Sequence, residues 1–254
     1  MTFGVDGRHA LVTGGTRGIG RAIAARLTAA GANVTILGRD PVAIDAVIGA
    51  GEAHAGFVVD VTEPDTFSKV VEDAVARSGP VDLLISNAGQ ALSAPFGRTD
   101  AALFQRMLDV NLFGVVHSIH AVLPSMIQAG FGRVVVIASI AGLKGYPYVS
   151  AYCAAKHAVI GLVRSLAVEC AATGVTVNAV CPGYTDTDLV TESIERIVAR
   201  TGRSHDDVLK ELVSGNPQKR LIDPPEVADA VLWLCGPGAR SVTGQAIAIA
   251  GGEV

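Results

Sequence analysis

Near its start the chain reads Ala10-Leu-Val-Thr13-Gly14-Gly15-Thr16-Arg17-Gly18-Ile19-Gly20. The order of apolar residues, glycines and then a helix-forming run predicts a strand, a tight turn and a helix. Glycines let the backbone come close to a pyrophosphate group, whose negative charge is favoured at a helix N-terminus. The spacing is G-x-x-x-G-x-G and not the general G-x-G-x-x-G fingerprint, and turns use glycine for other reasons. Its position directly after the first strand nevertheless predicts a dinucleotide site.

The rest of the chain alternates short apolar runs rich in β-branched residues with longer segments of helical period. This alternation is typical of a doubly wound α/β domain of Rossmann type, a parallel sheet with helices on both faces. No repeat or linker interrupts it, so we expect one domain over residues 1–254. The predicted strands cover residues 8–13, 33–37, 55–59, 81–86, 132–138, 175–180 and 245–249. The predicted helices cover residues 18–30, 41–49, 64–78, 100–128, 150–172 and 225–235.

The composition argues against several classes of protein. The formal net charge is −4 and the longest basic cluster is Lys219-Arg220, which argues against nucleic acid as a partner. No leader segment and no uninterrupted apolar stretch of membrane-spanning length is present, so we expect a soluble, cytoplasmic protein. The four cysteines include no C-x-x-C pair, and no carboxylate or thiol cluster accompanies the histidines. Neither a disulfide framework nor a metal site is therefore predicted.

Tyr152 and Lys156 stand four residues apart in a helix-forming run, with Ser139 earlier in the chain. Residues four apart share a helical face, so the ammonium group can lie beside the phenol. A nearby positive charge favours the phenolate and lowers the tyrosine pKa, which suits the proton donor that a hydride-reduced carbonyl needs. The pattern also arises by chance in many helices, so it needs support from other motifs. Cys153 is a weaker nucleophile candidate, because neighbouring helical residues point in different directions.

The supporting motifs are Thr13-Gly14-x-x-x-Gly18-x-Gly20, Asp60-Val61, Asn87-Ala88-Gly89, Asn111, Ser139, Tyr152-x-x-x-Lys156 and Pro182-Gly183. In this order they resemble the short-chain dehydrogenase/reductase family, from the first strand to the last. The resemblance implies a seven-stranded parallel sheet in the order 3-2-1-4-5-6-7 and a nicotinamide cofactor along its carboxyl edge. A cofactor-binding regulatory protein on the same fold is the non-enzyme alternative, but such a protein would normally lack Tyr152 or Lys156.

The resemblance also implies which residues bind the cofactor. Asp60 and Val61 would touch the adenine, and the turn 87–89 would form the floor under the cofactor. Pro182, Gly183 and Thr185 would hold the nicotinamide amide, and Thr187 would lie near the phosphates. Simpler interpretations remain open, namely a strand-ending turn at 87–89 and a loop at 182–183. The full expected set, which includes Tyr152 and Lys156, is Gly14, Thr16, Arg17, Gly18, Ile19, Gly20, Arg39, Asp60, Val61, Asn87, Ala88, Gly89, Pro182, Gly183, Thr185 and Thr187.

The choice between NADP and NAD depends on the end of the second strand. An acidic side chain there binds a ribose 2′-hydroxyl and repels a 2′-phosphate. Gly38 holds the position where relatives that use NAD carry that acid, and Arg39 and Arg17 offer two guanidinium groups for a phosphate. NADP(H) is favoured on these grounds. NAD(H) stays possible because of Asp40, although Asp40-Pro41 also has the form of a helix N-cap followed by proline.

The implied reaction moves a hydride between the nicotinamide and a carbonyl carbon while Tyr152 passes a proton to or from the oxygen. Ser139 would hydrogen-bond that oxygen, Lys156 would hold the ribose and stabilise the tyrosinate, and Asn111 would anchor a water. Ser139 as a strand-end cap and Asn111 as a helix-kink residue are the structural alternatives. The segments around Pro182 and Thr243 resemble members that act on 3-oxoacyl or 3-hydroxyacyl thioesters linked to CoA or a carrier protein. Relatives acting on sugars, steroids and cyclic ketones share them.

Two further features concern the substrate and the assembly. Residues 185–220 contain two amphipathic pieces, around 188–199 and 205–213, which we interpret as a substrate lid, with a surface helical hairpin as the alternative. The long apolar helices at 100–128 and 150–170 predict a homodimer or homotetramer. An apolar substrate pocket is expected from Leu143, Tyr146, Pro147, Tyr148, Tyr184 and Leu189.

Overall fold

The computed structural model describes residues 4–254, so residues 1–3 of the predicted domain lie outside the described part. Its centre is a sheet of seven parallel strands in the order 3-2-1-4-5-6-7, which confirms the predicted fold class. Each predicted strand is present within two residues of its expected bounds. The strands are β1 (His9–Thr13), β2 (Asn33–Gly38), β3 (Ala55–Val58), β4 (Leu83–Ser86), β5 (Gly132–Ile137), β6 (Val175–Pro182) and β7 (Ala246–Ile249).

Helices cover both faces of the sheet because the strands carry buried apolar residues on each side. On one face Ile23, Ile44 and Val231, from three different helices, pack against Val12 and Ile36. On the other face residues of three more helices pack against Leu11, Leu84 and Val136. The helices are α1 (Gly18–Ala29), α2 (Pro41–Gly49), α3 (Pro64–Ser78), α4 (Ala101–Leu108), α5 (Gly114–Ala129), α6 (Ser150–Cys170), α7 (Asp188–Thr201), α8 (His205–Leu212) and α9 (Pro224–Cys235).

The continuous helix expected at 100–128 is wrong in one respect. A π-helix, Asp109–Phe113, separates α4 from α5. The hydrophobic period continues through this segment, so the sequence pattern does not reveal that the backbone hydrogen bonds change partners there. Asn111 therefore lies in a distorted helical turn. π-Helices of this kind are often associated with functional sites.

Two helical stretches, Ala101–Ala129 and Ser150–Cys170, are long and apolar enough to cross a membrane by length and composition alone. Neither is an uninterrupted apolar run, because Arg106 and Asp109 interrupt the first stretch and Lys156, Arg164 and Glu169 the second. Both stretches place residues such as Ile119 and Val163 in the core against the sheet. Core helices of soluble proteins have this character, so their hydropathy is explained by packing within the fold.

The direction of winding creates a crevice between β1 and β4. The chain moves from β1 to β2 and β3 on one side, and then returns to place β4 on the other side of β1. Thr13 is paired with Leu37 on one neighbour and with Ser86 on the other, so the carboxyl ends of these strands lie side by side. Ligands of doubly wound sheets bind at such a switch point. The glycine turn after β1 opens directly into it.

Candidate active site

The glycine turn forms a cradle without side chains at the start of α1. Gly14 and Gly18 adopt left-handed backbone conformations, with φ of 65° and 51°, which residues with a Cβ rarely adopt. The amide of Gly14 donates to the carbonyl oxygen of Leu37 at 2.7 Å and ties the turn to β2. A Cβ on Gly20 would overlap the carbonyl oxygen of Gly14. The turn therefore brings bare backbone to the N-terminus of α1, as a diphosphate requires.

A hydrogen-bond network fixes the end of β4 against this turn. The side-chain amide of Asn87 donates to the carbonyl oxygens of Thr13 and Gly14, both at 3.0 Å. In return the Thr13 hydroxyl oxygen accepts from the backbone amides of Asn87 and Ala88, also at 3.0 Å. The sequence motif contained Thr13, but its role as the anchor between the two strands was not predicted. The turn 87–89 is therefore held rigidly beside the glycine cradle.

The acid that follows β2 already has a structural role. Asp40 accepts hydrogen bonds from the amides of Val42 and Ala43, at 2.9 and 3.4 Å, and so caps α2. A Cβ at Gly38 would lie 2.8 Å from the Thr16 methyl group, which explains why this position is glycine. Arg39 is exposed and lies 3.8 Å from the carboxylate of Asp60. Arg39 and Asp40 are both exposed at this edge, and Asp40 is the one whose carboxylate already caps a helix.

Asp60 and Val61 lie next to this edge, after β3. Burial raises the pKa of Asp60, but the hydrogen bonds from the Thr62 amide and hydroxyl and the charge of Arg39 outweigh it, so the net pKa lies below the ordinary value. Val61 is buried, and a Cβ on Gly114 would come within 2.8 Å of its side chain. The close approach of Gly114 brings the start of α5 against the segment 60–61.

Asn111 is fully buried in the π-helix between α4 and α5. Its amide nitrogen donates to the carbonyl oxygens of Gln90 and Met107, at 2.9 and 3.0 Å, and its oxygen accepts from the Gln90 amide at 3.2 Å. A Cβ at Gly89 would lie 3.0 Å from the Asn111 oxygen and 3.7 Å from the Lys156 nitrogen. Asn111 and Lys156 therefore approach the same point on the chain from two helices.

Ser139, Tyr152 and Lys156 come together at the carboxyl end of β5. Ser139 begins the 3-10 helix Ile140–Gly142, and its hydroxyl oxygen accepts from the amide of Ala141 at 3.1 Å. Ser139 also lies close enough to the Tyr152 hydroxyl to lower the pKa of that group. The Lys156 ammonium donates to the carbonyl oxygen of Ile137 at 2.9 Å and lies 5.7 Å from the centre of the Tyr152 ring. The three side chains meet at one corner, where Lys156 is buried and Ser139 and Tyr152 are half-buried.

We expected Lys156 to lower the pKa of Tyr152, and this expectation is wrong. Burial raises the pKa of Tyr152 to about 12, although the hydrogen bond with Ser139 opposes the change. Burial also lowers the pKa of Lys156 to about 8. Loss of hydration disfavours the charged form of each group and exceeds the influence of the neighbouring charge. The spacing of Tyr152 and Lys156 along the chain does not reveal this burial.

The end of β6 returns to the glycine cradle. The amide of Gly183 donates to the carbonyl oxygen of Ile249 at 3.0 Å, which continues the pairing of β6 and β7 beyond Pro182. The Thr185 hydroxyl donates to the Gly183 carbonyl oxygen at 3.0 Å, and the Thr187 hydroxyl to the Thr185 carbonyl oxygen at 3.2 Å. A Cβ at Gly18 would lie 3.1 Å from the Thr187 methyl group. The segment 182–187 thus lies over the turn, at the start of α7.

Around the site, the structure gives Arg17 a partner and differs from the sequence expectation at Tyr148. Arg17 forms an ion pair with Glu192 of α7, with 3.3 Å between the nitrogen and oxygen atoms. Tyr148 is 65% exposed and does not belong to a closed apolar pocket. Tyr146 is held by Glu253, a buried carboxylate that the sequence analysis did not single out. No sequence signal joins residues so far apart in the chain, because their contact depends on the complete sheet.

The cradle and its surroundings fit a dinucleotide. The glycine positions leave no room for added side chains near the turn, and backbone amides at the start of α1 face the crevice. Among residues 4–254 no group of three or more His, Cys, Asp or Glu side chains is arranged to hold a metal ion. The arrangement can bind a diphosphate and, at the corner of Ser139, Tyr152 and Lys156, transfer a proton to or from a ligand.

Comparison with known proteins identifies the family. A sequence profile of the short chain dehydrogenase family matches residues 8–197. D-beta-hydroxybutyrate dehydrogenase of Rhizobium meliloti (strain 1021) is 36% identical over 254 residues, covering 96% of this chain and 98% of the relative. Acetoacetyl-CoA reductase of the same organism is 37% identical over 252 residues, covering 97% and 98%. The crystal structure of the actinorhodin polyketide ketoreductase with NADPH superimposes with a TM-score of 0.92 at 35% identity and 97% coverage of each chain.

The fold, the site and these similarities define a nicotinamide-dependent oxidoreductase. The chain belongs to the short-chain dehydrogenase family. This confirms the resemblance drawn from the sequence motifs, including the enzyme class, and it argues against the regulatory-protein alternative.

Proposed function

We propose that this enzyme uses NADP(H) to interconvert a 3-oxoacyl thioester and the corresponding 3-hydroxyacyl thioester. The observation that carries the proposal is the meeting of Ser139 and Tyr152 with the buried ammonium group of Lys156, which lies 5.7 Å from the centre of the Tyr152 ring and close to the turn 87–89. The relatives support the substrate class, since they include an acetoacetyl-CoA reductase and a D-beta-hydroxybutyrate dehydrogenase. A cyclic ketone, sugar or steroid alcohol is the second candidate.

When bound, the nicotinamide supplies the hydride to the carbonyl carbon or takes it back from the alcohol. Tyr152 gives its hydroxyl proton to the carbonyl oxygen, and the Ser139 hydroxyl donates a hydrogen bond to the same oxygen. Lys156 holds the ribose hydroxyls and favours the tyrosinate that remains after proton transfer. Asn111 orients a water that returns a proton towards Lys156. The burial of this corner keeps bulk water away from the reacting atoms.

The remaining residues of the crevice bind the cofactor in this proposal. The turn formed by Gly14, Thr16, Gly18, Ile19 and Gly20 receives the diphosphate, and Asp60 and Val61 receive the adenine. Asn87, Ala88 and Gly89 lie under the cofactor, Pro182, Gly183 and Thr185 hold the nicotinamide amide, and Thr187 approaches the phosphates.

NADP is preferred because the available charges suit a 2′-phosphate. Arg39 is exposed at the end of β2, and the carboxylate of Asp40 is already engaged in capping α2. Arg17 can join Arg39 when it leaves Glu192, which provides paired guanidinium groups. The ketoreductase structure with NADPH is consistent with this choice. NAD remains the alternative cofactor.

The segment from α7 to α8 is proposed to act as a lid. Val190, Ile194 and Val208 form a small apolar cluster of their own, so the two helices can move as one unit. A thioester would leave its phosphorylated carrier outside the pocket, where basic residues could meet it. Arg220 is already bound by Glu226 at 2.6 and 2.8 Å, and the Lys219 ammonium group donates to the carbonyl oxygen of Ser214 at 2.5 Å, which leaves Lys210 as the better candidate. We further propose a cytoplasmic location.

The proposal is tested by measuring kcat/KM for acetoacetyl-CoA and for a carrier-free ketone of equal chain length, each with NADPH and NADH. We expect the thioester with NADPH to be preferred by about tenfold or more, because binding energy from the carrier raises kcat/KM. Tyr152→Phe should lower kcat by roughly 10²–10⁴ and leave the Kd for NADPH within about twofold, since it removes the proton donor alone. Equal efficiency on both ketones would exclude the thioester, and activity on cyclic ketones or sugars alone would favour the second candidate.

A further inference from the structure

The segment after β7 places a carboxylate inside the protein. The side chain of Glu253 is only 4% exposed. Its carboxylate accepts a hydrogen bond from the Tyr146 hydroxyl and lies 3.1 Å from the Lys144 ammonium group. The same ammonium group lies 3.3 Å from the Glu253 carbonyl oxygen and 5.0 Å from the centre of the Tyr146 ring. Both partners belong to the loop 143–149, between the 3-10 helix that follows Ser139 and the start of α6.

Two aromatic rings connect this contact to the corner formed by Ser139, Tyr152 and Lys156. The Tyr146 ring meets the Tyr184 ring edge-on, with 6.3 Å between the ring centres. Tyr184 follows Gly183 at the end of β6, and its hydroxyl is close enough to Tyr152 to contribute to raising that group's pKa. Burial, followed by the charge of Glu253, raises the pKa of Tyr184. Burial and the hydrogen bond to Glu253 raise the pKa of Tyr146 in the same direction. Both rings therefore stay neutral, and Tyr184 connects Tyr146 to the surroundings of Tyr152.

The other side of Glu253 packs against the segment that follows the lid. A Cβ at Gly215 would lie 2.7 Å from a carboxylate oxygen of Glu253, so the two chains are in close contact. The side chain of Asn216 similarly fills the space over Gly251, and Pro217 lies near Gly252. The last residue of α8 is Leu212, only a few positions before this contact. Glu253 thus touches the loop 143–149 on one side and the exit of the lid on the other.

A buried carboxylate needs partners, and its partners here depend on it. Without Glu253 the Tyr146 hydroxyl would lose its acceptor, and Lys144 would lose its counter-charge in a partly buried position. Hydrogen bonds to charged groups are the stronger ones and fix the donor's orientation. Because the loop 143–149 contains no regular helix or strand, side-chain contacts of this kind determine its position.

We propose that Glu253 is a positioning residue for the substrate: it fixes Tyr146 against Tyr184, joins the loop 143–149 to the exit of the lid, and sets the width of the pocket beside Tyr152. The inference rests on the proposed function, since the pocket is the place of the carbonyl substrate. Glu253 acts through Tyr146 and does not itself take part in proton or hydride transfer. Its effect is therefore on substrate binding and not on the chemical step.

The test compares Glu253→Ala, Glu253→Gln, Tyr146→Phe and the double variant Glu253→Ala/Tyr146→Phe, with Glu72→Ala on the exposed face of α3 as a control. Glu253→Ala is expected to raise KM for the thioester about tenfold, with kcat within about threefold and the Kd for NADPH unchanged. Glu253→Gln should recover most of the loss, because its amide oxygen still accepts from Tyr146. The double variant should be no worse than the poorer single variant. An unchanged KM in Glu253→Ala, or additive effects in the double variant, would overturn the inference.

Hydrogen exchange in the cofactor-free protein separates this inference from the proposed function. Glu253→Ala should speed exchange in the segments 143–149 and 213–217 and leave β5 and β6 unchanged. If the wild type reduces no carbonyl compound, the proposed function fails, and faster exchange in both segments would still support the contact made by Glu253. Unchanged exchange in these segments would overturn the role of Glu253 whatever the activity. If Glu253→Ala unfolds altogether, Tyr146→Phe decides, because it removes the same hydrogen bond: faster exchange in the segment 143–149 is expected, and unchanged exchange there would overturn the inference.

Discussion

Lys156 is a buried cation without a carboxylate partner among the described residues. Its ammonium group donates to the carbonyl oxygen of Ile137, and burial holds its pKa at about 8, below the ordinary value of 10.5. Cys181 opposes this shift only partly. A buried ionisable group with a displaced pKa in a crevice is a mark of function, because it costs stability unless a ligand uses it. The charged ammonium group is the form that the proposed ribose contact requires.

The free-energy cost of burying the charged form of Lys156 predicts that the stability of the protein depends on pH. Its folded-state pKa is lower than its unfolded value, so between about pH 8 and 10.5 the unfolded chain binds more protons than the folded one. The free energy of unfolding of the wild type should therefore rise through this window relative to that of Lys156→Met. Urea unfolding of the cofactor-free proteins at several pH values measures the difference, with the exposed Lys69→Met as control. A difference that stays constant with pH would show that Lys156 is not held in a depressed state.

The residues of the site differ in how well the sequence reveals them. Tyr152, Lys156 and Ser139 lie on one continuous stretch, so spacing and family motifs predict their meeting. The role of Glu253 becomes visible only in the structure, because its partner Tyr146 lies 107 positions away along the chain. Burial decides the direction of the Tyr152 and Lys156 pKa shifts, and burial at a sheet edge follows from the packing of several elements. The spacing of residues along the chain does not encode this burial.

At the scale of elements, the strands and helices are close to their predicted bounds because each has a clear apolar period and a turn signal at its ends. Asp40-Pro41 starts α2 as the sequence indicates, with the carboxylate accepting from the first-turn amides. The exception is the π-helix around Asn111. Hydrogen-bond changes inside a helix leave the apolar period intact, and the docking of α7 depends on contacts with the glycine turn.

The contact between α7 and the glycine turn predicts a link between the lid and cofactor binding. Arg17 and Glu192 are both more than half exposed, so their ion pair is weak, worth about 0.2–1 kcal/mol. A 2′-phosphate would compete with Glu192 for Arg17. Glu192→Gln should therefore lower the Kd for NADPH about two- to fivefold and leave the Kd for NADH unchanged. Titration of protein fluorescence with each cofactor measures both constants, and Glu195→Gln on the same helix is the matched control. An equal change for both cofactors would remove Arg17 from the 2′-phosphate site.

At the scale of the whole molecule, the sheet and its two helical layers leave apolar side chains on the outer surface. Val168 of α6 is 78% exposed and Ile127 of α5 is 42% exposed. Both helices already bury one face against the sheet, so these residues belong to a second apolar face that the single chain does not cover. The same excess of apolar residues explains why both helices reach the hydropathy of a membrane span.

An assembly of identical chains would cover this second face, and we predict a homodimer or homotetramer at micromolar concentration. The double variant Ile127→Glu/Val168→Glu should shift the mass measured by light scattering to a smaller species, because charges buried in an interface lose hydration without gaining partners. Val42→Glu is the control, since Val42 is 75% exposed on α2, away from α5 and α6. Activity of the smaller species is measured alongside, to learn whether the crevice depends on assembly. A wild type that scatters as a monomer, or a double variant of unchanged mass, would show that these two helices do not form the interface.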